Sequence, residues 1–156
     1  MATVIQFQSI GVVRNGMMEA HRDTRWQEIE SEIIIDEKWH DALDGLDQFS
    51  HVWVIFHIDR VPAPTALRIQ PIKQSDLPVV GIFATRSPQR PNPIGIRAVE
   101  LLSMRENVLR VRGLDALDGT PVLDLKPYLP RHDSIQDARL ADWANKYRKE
   151  FPDSKR

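Results

Sequence analysis

The 156-residue chain has no cysteine. Disulfides, thiolate metal ligands and a cysteine nucleophile are therefore excluded. Long hydrophobic runs are missing too, since none approaches the roughly 18 apolar residues of a membrane-spanning helix. The opening MATVIQFQSIGVVRNG lacks a basic stretch leading into an apolar one. It does not read as a signal peptide, so a cytoplasmic location with no membrane partner is expected. Neither charge is in excess: 21 Lys and Arg stand against 22 Asp and Glu, a formal net charge of −1. Dedicated nucleic-acid binders are often strongly basic, so an anionic partner here would have to meet a local patch. No strand–GxGxxG–helix unit is found, which leaves a Rossmann-type nucleotide site without support. There is no internal repeat and no low-complexity segment.

What is present suits one domain spanning 1–156, with a core at about 5–133. Hydrophobic residues make up 42% of the chain. Most apolar segments are short, rich in Val and Ile, and separated by turn residues, which favours strands. Strands are expected at Ile5–Val13, Ile29–Ile35, Val52–Ile58, Val79–Ala84, Ile94–Met104, Leu109–Leu114 and Val122–Leu125. In VLRVRG, Leu109 and Val111 alternate with Arg110 and Arg112, the pattern of a strand with one wet face. VWVIFHI is more continuously apolar and reads as a central strand buried on both sides. Two segments read as helices. EKWHDALDGL is short, with Gly45 as its C-cap. The second runs from about 135 to 151, with Ser134 as N-cap and Leu140, Trp143, Tyr147 and Phe151 along one face. The fold class is mainly β, a closed or nearly closed barrel with a short helix and a C-terminal helix.

The stretch ATRSPQRPNPIGIR (84–97) carries Pro88, Pro91 and Pro93 among three arginines. Each proline fixes φ near −65°, lacks an N–H and pushes its predecessor towards extended backbone. Segment 87–93 is thus neither helix nor central strand. It is either a stiff strand connection or a pre-shaped ligand loop whose rigidity lowers the ordering cost of binding. Gly95 would let something approach the backbone closely. The second dense segment is LDALDGTPVLDLKPYLPRHD (114–133), with Asp115, Asp118, Asp124 and Asp133 beside Lys126, Arg131 and His132. Its Asp118–Gly119 step signals a turn, expected as type I′. Asp124 and Lys126 share a strand face and can pair. The five histidines invite a metal reading, but His51 and His57 lie about 20 Å apart along one strand. No metal is expected. Trp53 and Phe56 are expected in the core, whereas Trp26 could anchor a loop or stack on a base.

Together the two segments resemble the TsaA/TrmO-like family (the YaeB group). The similarity lies in FATRSPQRPNPIGIRAVELL (83–102) and GLDALDGTPVLDLKPYLPRHD (113–133), with SIGVVRN (9–15) and GLDQFSHVWVIFHI (45–58) also fitting. The resemblance implies a single-sheeted β-barrel that binds S-adenosylmethionine, assembled as a homodimer with the cofactor site at or near the subunit interface. It also implies N6-methylation of threonylcarbamoyladenosine beside the anticodon of tRNA. Carried over by residue, the cofactor loop falls on Arg86, Ser87, Pro88, Arg90, Pro91, Asn92, Pro93, Ile94 and Gly95. The second motif falls on Asp118, Gly119, Thr120, Pro121, Asp124, Lys126, Pro127 and Tyr128.

Two departures bear on the substrate. Members acting on tRNA commonly carry an extra C-terminal domain, and none is expected here beyond the helix. Segment 16–31 replaces the family's PRQ-containing stretch and offers Trp26 and Gln27 instead. Within this frame Asp118, Gly119 and Thr120 join the cofactor-binding set, and Asp118 or Asp124 would meet the cofactor's ribose or amino group. Arg86, Arg90 and Arg131 would meet a carboxylate or phosphates through planar, bidentate geometry. Arg131, His132 and Trp26 are the substrate-binding candidates. The catalytic base stays open among Asp118, Asp124, Lys126 and Tyr128. Three functions follow: tRNA adenosine methylation, methylation of another acceptor, or a non-enzymatic S-adenosylmethionine- or RNA-binding module.

Overall fold

The computed structural model describes residues 3–21, 23–71 and 76–145. Six strands close into an antiparallel barrel: β1 (Gly11–Arg14), β2 (Glu30–Ile35), β3 (His51–His57), β6 (Ile94–Arg105), β7 (Val108–Arg112) and β8 (Pro121–Pro127). Their order around the wall is β1-β2-β7-β6-β3-β8, with β8 returning to β1. Alternation supplies the interior: Val13, Ile33, Ile35, Val52, Val54, Val99, Leu109, Val111 and Val122 are all buried. Leu114 and Ala116, between β7 and β8, plug the same cluster. On the outer wall Arg110 and Arg112 both bond Glu30, and Arg112 also reaches Glu100 at 3.1 Å. The wet face expected of β7 is therefore a charged ladder spanning three strands.

β3 corrects one expectation. Only Val52, Val54 and Phe56 are buried, while Trp53, Ile55 and His57 are half-buried on the outer wall. Their row continues sideways, because Trp53 pairs with Ala98 and Lys126, and Ile55 with Ile96 and Asp124. The barrel interior thus holds one face of this strand, so Phe56 is core and Trp53 lies outside, packed on Tyr128 at 5.6 Å.

Other expected elements are shorter than their apolar runs. β1 starts only at Gly11, because its partner β2 ends at Ile35, opposite Gly11. Upstream, Val4, Ile5 and Phe7 are exposed. The expected strand Val79–Ala84 is a two-residue β5 (Val80–Gly81) followed by a 3₁₀ turn, Ile82–Ala84. β5 pairs with β4 (Arg68–Ile69), a strand too short to leave a periodic signal. EKWHDALDGL forms a 3₁₀ helix, Glu37–Leu43, which buries Leu43 and is followed by Gly45 at φ 80°.

The C-terminal helix does not begin at 135. A short helix α1 (Pro130–Asp133) ends on Ser134, whose N–H bonds Pro130 O at 3.2 Å, so Ser134 closes a helix where it was expected to open one. Asp137 follows at φ 60°, incompatible with a helix, and Ile135 and Leu140 face solvent with no surface to cover. Residues 142–145 are helical, with Trp143 half-buried, whereas Tyr147 and Phe151 lie outside the described residues.

Candidate active site

The proline-rich segment leaves the 3₁₀ turn at Ala84 and enters β6 at Ile94 with no regular structure between. Its shape is stapled from within. Arg90 Nη1 donates to Thr85 O at 3.0 Å and to Ser87 O at 3.3 Å, bracketing the first bend. Arg86 Nη2 donates to Ile96 O at 3.2 Å, tying the loop to β6. Thr85 Oγ1 donates to Ile82 O and accepts the Ser87 N–H. Ile94 N–H is spent on Asn92 O, and Pro93 O accepts from Ile58. Arg86 and Arg90 thus use part of their donor sets on the loop itself, in addition to any ligand.

Gly95 gives the close approach expected at this position. It sits opposite Phe56 in the β3–β6 register, and a Cβ there would lie 2.3 Å from the Phe56 ring. The close approach is made by an aromatic ring of the chain's own barrel.

The second motif turns at Asp118–Gly119, closed by Thr120 N–H to Leu117 O at 3.1 Å. Only Gly119 has positive φ, 81°, the type II pattern in place of the expected type I′. The Asp118 carboxylate faces the exit of β1. Its Oδ1 accepts the N–H groups of Asn15 (2.8 Å) and Gly16 (3.0 Å), and Arg14 stands 3.5 Å from Oδ2. These backbone N–H bonds, from Gly16 first and then Asn15, hold the Asp118 pKa below the ordinary carboxylate value. Arg60 closes the arrangement by donating to Asp118 O.

Loop and turn converge on one cleft of about 620 Å³. Of the sequence-predicted residues, Arg86, Ser87, Pro88, Arg90, Ile94, Gly95, Thr120 and Trp26 line it. Pro91, Asn92, Pro93, Asp118 and Gly119 belong to the same two turns without lining the cleft. Asp124 and Lys126 are on β8 and Tyr128 just beyond its end; Asp124 and Lys126 pair at 2.7 Å beside Trp53 and Ile55 of the outer wall. Arg131 and His132 sit exposed on α1. Among the described residues no cluster of His, Asp and Glu is arranged to hold a metal ion, and no helix is long and apolar enough to cross a membrane.

Sequence reasoning did not assign Thr85, Asp59, Arg60, Arg97 and Asp115, which also line the cleft. Asp115 is exposed along the cleft, but the protein packed around its carboxylate partly desolvates it and raises its pKa, opposed first by Arg97. Arg97 is itself oriented by donating from Nε to Gly113 O at 3.1 Å. Asp115 was visible only as one of four carboxylates in a twenty-residue stretch.

The family model described as the tRNA-methyltransferase O N-terminal domain matches residues 17–134. The chain belongs to this family. A "probable S-adenosyl-L-methionine-binding protein" of Methanothermobacter thermautotrophicus is 43% identical over 84% of this chain and 95% of its own length. The tRNA (adenine(37)-N6)-methyltransferase of Escherichia coli is 37% identical over 85% of this chain and 61% of its own. A crystal structure of TrmO from Pseudomonas aeruginosa aligns with TM-score 0.73 and 32% identity, over 91% of this chain and 62% of that one. The chain thus spans about three fifths of the last two proteins and nearly all of the first. In this member of the tRNA-methyltransferase O family, the matched region contains the entire closed barrel except β1.

Proposed function

We propose that the chain is an S-adenosylmethionine-dependent methyltransferase acting on N6 of an adenosine in tRNA, and more narrowly on threonylcarbamoyladenosine beside the anticodon. The observation that carries this reading is the convergence of two segments, 83–102 and 113–133, on one cleft of about 620 Å³, within the range of small-molecule sites. The relatives' names supply the cofactor and the acceptor.

The residues present fit such a cofactor. Phe56, Ile58, Ile94 and Ile96 give the cleft apolar walls, Arg86 and Arg97 are cations suited to an amino-acid carboxylate, and Asp59 is an anion suited to an ammonium or ribose. When bound, the sulfonium supplies an already activated methyl group. What this chain then provides is positioning and exclusion of water. The stapled loop holds its shape before ligand arrives, which lowers the ordering cost of binding. Trp26, half-buried at the cleft, offers a ring for stacking on an acceptor base.

The homodimer belongs to the same proposal. Ile94 and Ile96 line the cleft and are 40% and 46% exposed, and their register row carries on through Ile55 and Trp53 to Lys126. A second copy seated on this row would bring the DLKPY segment and the cleft into one interface.

The test combines calorimetry with S-adenosylmethionine and transfer of labelled methyl to tRNA with and without the threonylcarbamoyl group. Binding with transfer only to the threonylcarbamoylated tRNA is expected. Equal transfer to both tRNAs would remove the narrower acceptor. Binding with no transfer to any tRNA would reduce the protein to a cofactor-binding module.

A further inference from the structure

We infer that Asp115 is the general base of the transfer, receiving the proton of the acceptor nitrogen as that nitrogen takes the methyl group. The inference rests on the methyltransferase reading above and adds a catalytic residue to it.

An adenine N6 bearing a ureido group is a poor nucleophile, because its lone pair is drawn into both the ring and the carbonyl. A positioned base is therefore useful. In the balanced step the nitrogen–carbon bond forms while the carbon–sulfur bond breaks, and the electron pair of the latter stays on sulfur. The proton released from N6 goes to a carboxylate oxygen of Asp115 and afterwards to water.

Placement singles out Asp115 among the carboxylates of 114–133. Asp118 is committed to the Asn15 and Gly16 N–H groups. Asp124 is paired with Lys126 on the outer wall, and Asp133 accepts the Leu129 N–H on α1. Asp115 alone of the four lines the cleft. Its backbone is pinned on both sides, since Leu114 and Ala116 are buried in the barrel plug at 0% and 4% exposure. Asp59 lines the same cleft but sits in an exposed turn after β3. Asp115 is also exposed and lies in the irregular link 113–117, but its two buried neighbours hold its backbone in place, and no such anchor flanks Asp59 on its C-terminal side, where Arg60 is exposed.

The charged neighbours suit a base. Arg97 of β6 and Arg86 of the loop act directly on Asp115, and Arg60, Arg90 and Asp59 complete the charged wall of the cleft. Desolvation outweighs the two arginines, so the carboxylate is more basic than an ordinary aspartate.

The experiment compares the unsubstituted protein with Asp115→Asn and Asp115→Glu, each first shown to fold by circular dichroism. Single-turnover methyl transfer to threonylcarbamoylated tRNA is followed against pH at saturating S-adenosylmethionine. Calorimetry measures cofactor affinity, and carbon-13 carboxyl NMR titrates Asp115 in the protein alone. Asp115→Asn should slow the single turnover by roughly 10²- to 10⁴-fold with cofactor affinity unchanged. The acidic limb of the rate profile should match the NMR titration and vanish in Asp115→Asn, and Asp115→Glu should recover part of the rate. Lost cofactor affinity with an unchanged saturated rate would overturn the inference and make Asp115 a cofactor contact. A full rate in Asp115→Asn would overturn it as well. Absence of transfer by the unsubstituted protein would sink the methyltransferase reading itself, and this inference with it.

Discussion

Replacing Asp118 tests whether its carboxylate serves the ligand or the fold. The structure gives it two backbone N–H bonds, to Asn15 and Gly16, and an ion pair with Arg14. Hydrogen bonds to a charged acceptor contribute about 1.5–3 kcal/mol each when well shielded. Here the side chain is 24% exposed and Arg14 50% exposed, so the upper end does not apply. The ion pair adds only about 0–1 kcal/mol. With the lower end for both bonds and the ion pair added, Asp118→Ala should then cost about 3–4 kcal/mol, which for a chain of this size lowers Tm by roughly 6–16 °C. Asp118→Asn keeps Oδ1 as a neutral acceptor and should cost about 1 kcal/mol. The sign with pH follows from the lowered folded-state pKa. The contribution is complete above the ordinary carboxylate range and is lost as pH falls through the folded-state value. The gap in Tm between the unsubstituted protein and Asp118→Ala should therefore be constant near neutrality and close in acid. Thermal melts across pH, paired with calorimetry of S-adenosylmethionine, make the measurement. An unchanged Tm together with lost cofactor affinity would refute the reasoning and restore Asp118 to direct ligand binding.

Three further outcomes are expected. Gly95→Ala places a Cβ 2.3 Å from the Phe56 ring; overpacking of this kind costs about 1–3 kcal/mol. Melts of the two single variants and of the Gly95→Ala/Phe56→Leu double variant should show favourable coupling between the sites, and strict additivity would contradict the contact. Arg90→Ala removes the two bonds to Thr85 O and Ser87 O. Losing about 1–2 kcal/mol of loop order should weaken S-adenosylmethionine binding roughly 5- to 30-fold, with little change in Tm. The opposite pattern, lower Tm with full affinity, would make the loop a structural brace only. Finally, Ile55→Arg on the outer wall should leave the barrel folded and convert a dimer to a monomer in sedimentation equilibrium, whereas an unaltered dimer would place the interface elsewhere.

What the sequence reveals and what it hides divide along a physical line. Prolines restrict their own residue and its predecessor whatever surrounds them, so the irregular course of 87–93 is legible without a structure. The Leu109/Arg110/Val111/Arg112 alternation reads correctly because each residue type matches the face it occupies. β3 misleads for the converse reason: Trp53 and Ile55 are apolar yet lie on the outer wall, and composition cannot separate an apolar residue on the outside from one inside the barrel. In 135–151 the apolar spacing suits a helix, but α1 claims Ser134 as its end, and Asp137 adopts a backbone conformation that spacing does not report.

The candidate site shows the same division at the level of single carboxylates. Asp115 and Asp118 are three residues apart in one motif and have the same chemistry. Their roles are set by groups far along the chain: the Asn15 N–H, 103 residues from Asp118, and the Arg97 and Arg86 guanidiniums beside Asp115. One carboxylate is made more acidic by hydrogen bonds and fixes a turn; the other is made more basic by partial desolvation and faces the cleft. A local reading assigns Asp118 to the site and leaves Asp115 as one of four carboxylates in the stretch. Closure of the barrel brings the end of β1 against the Asp118 turn and lowers that acid's pKa, while packing around the cleft raises that of Asp115 against the pull of Arg97, and this sets the two acids apart.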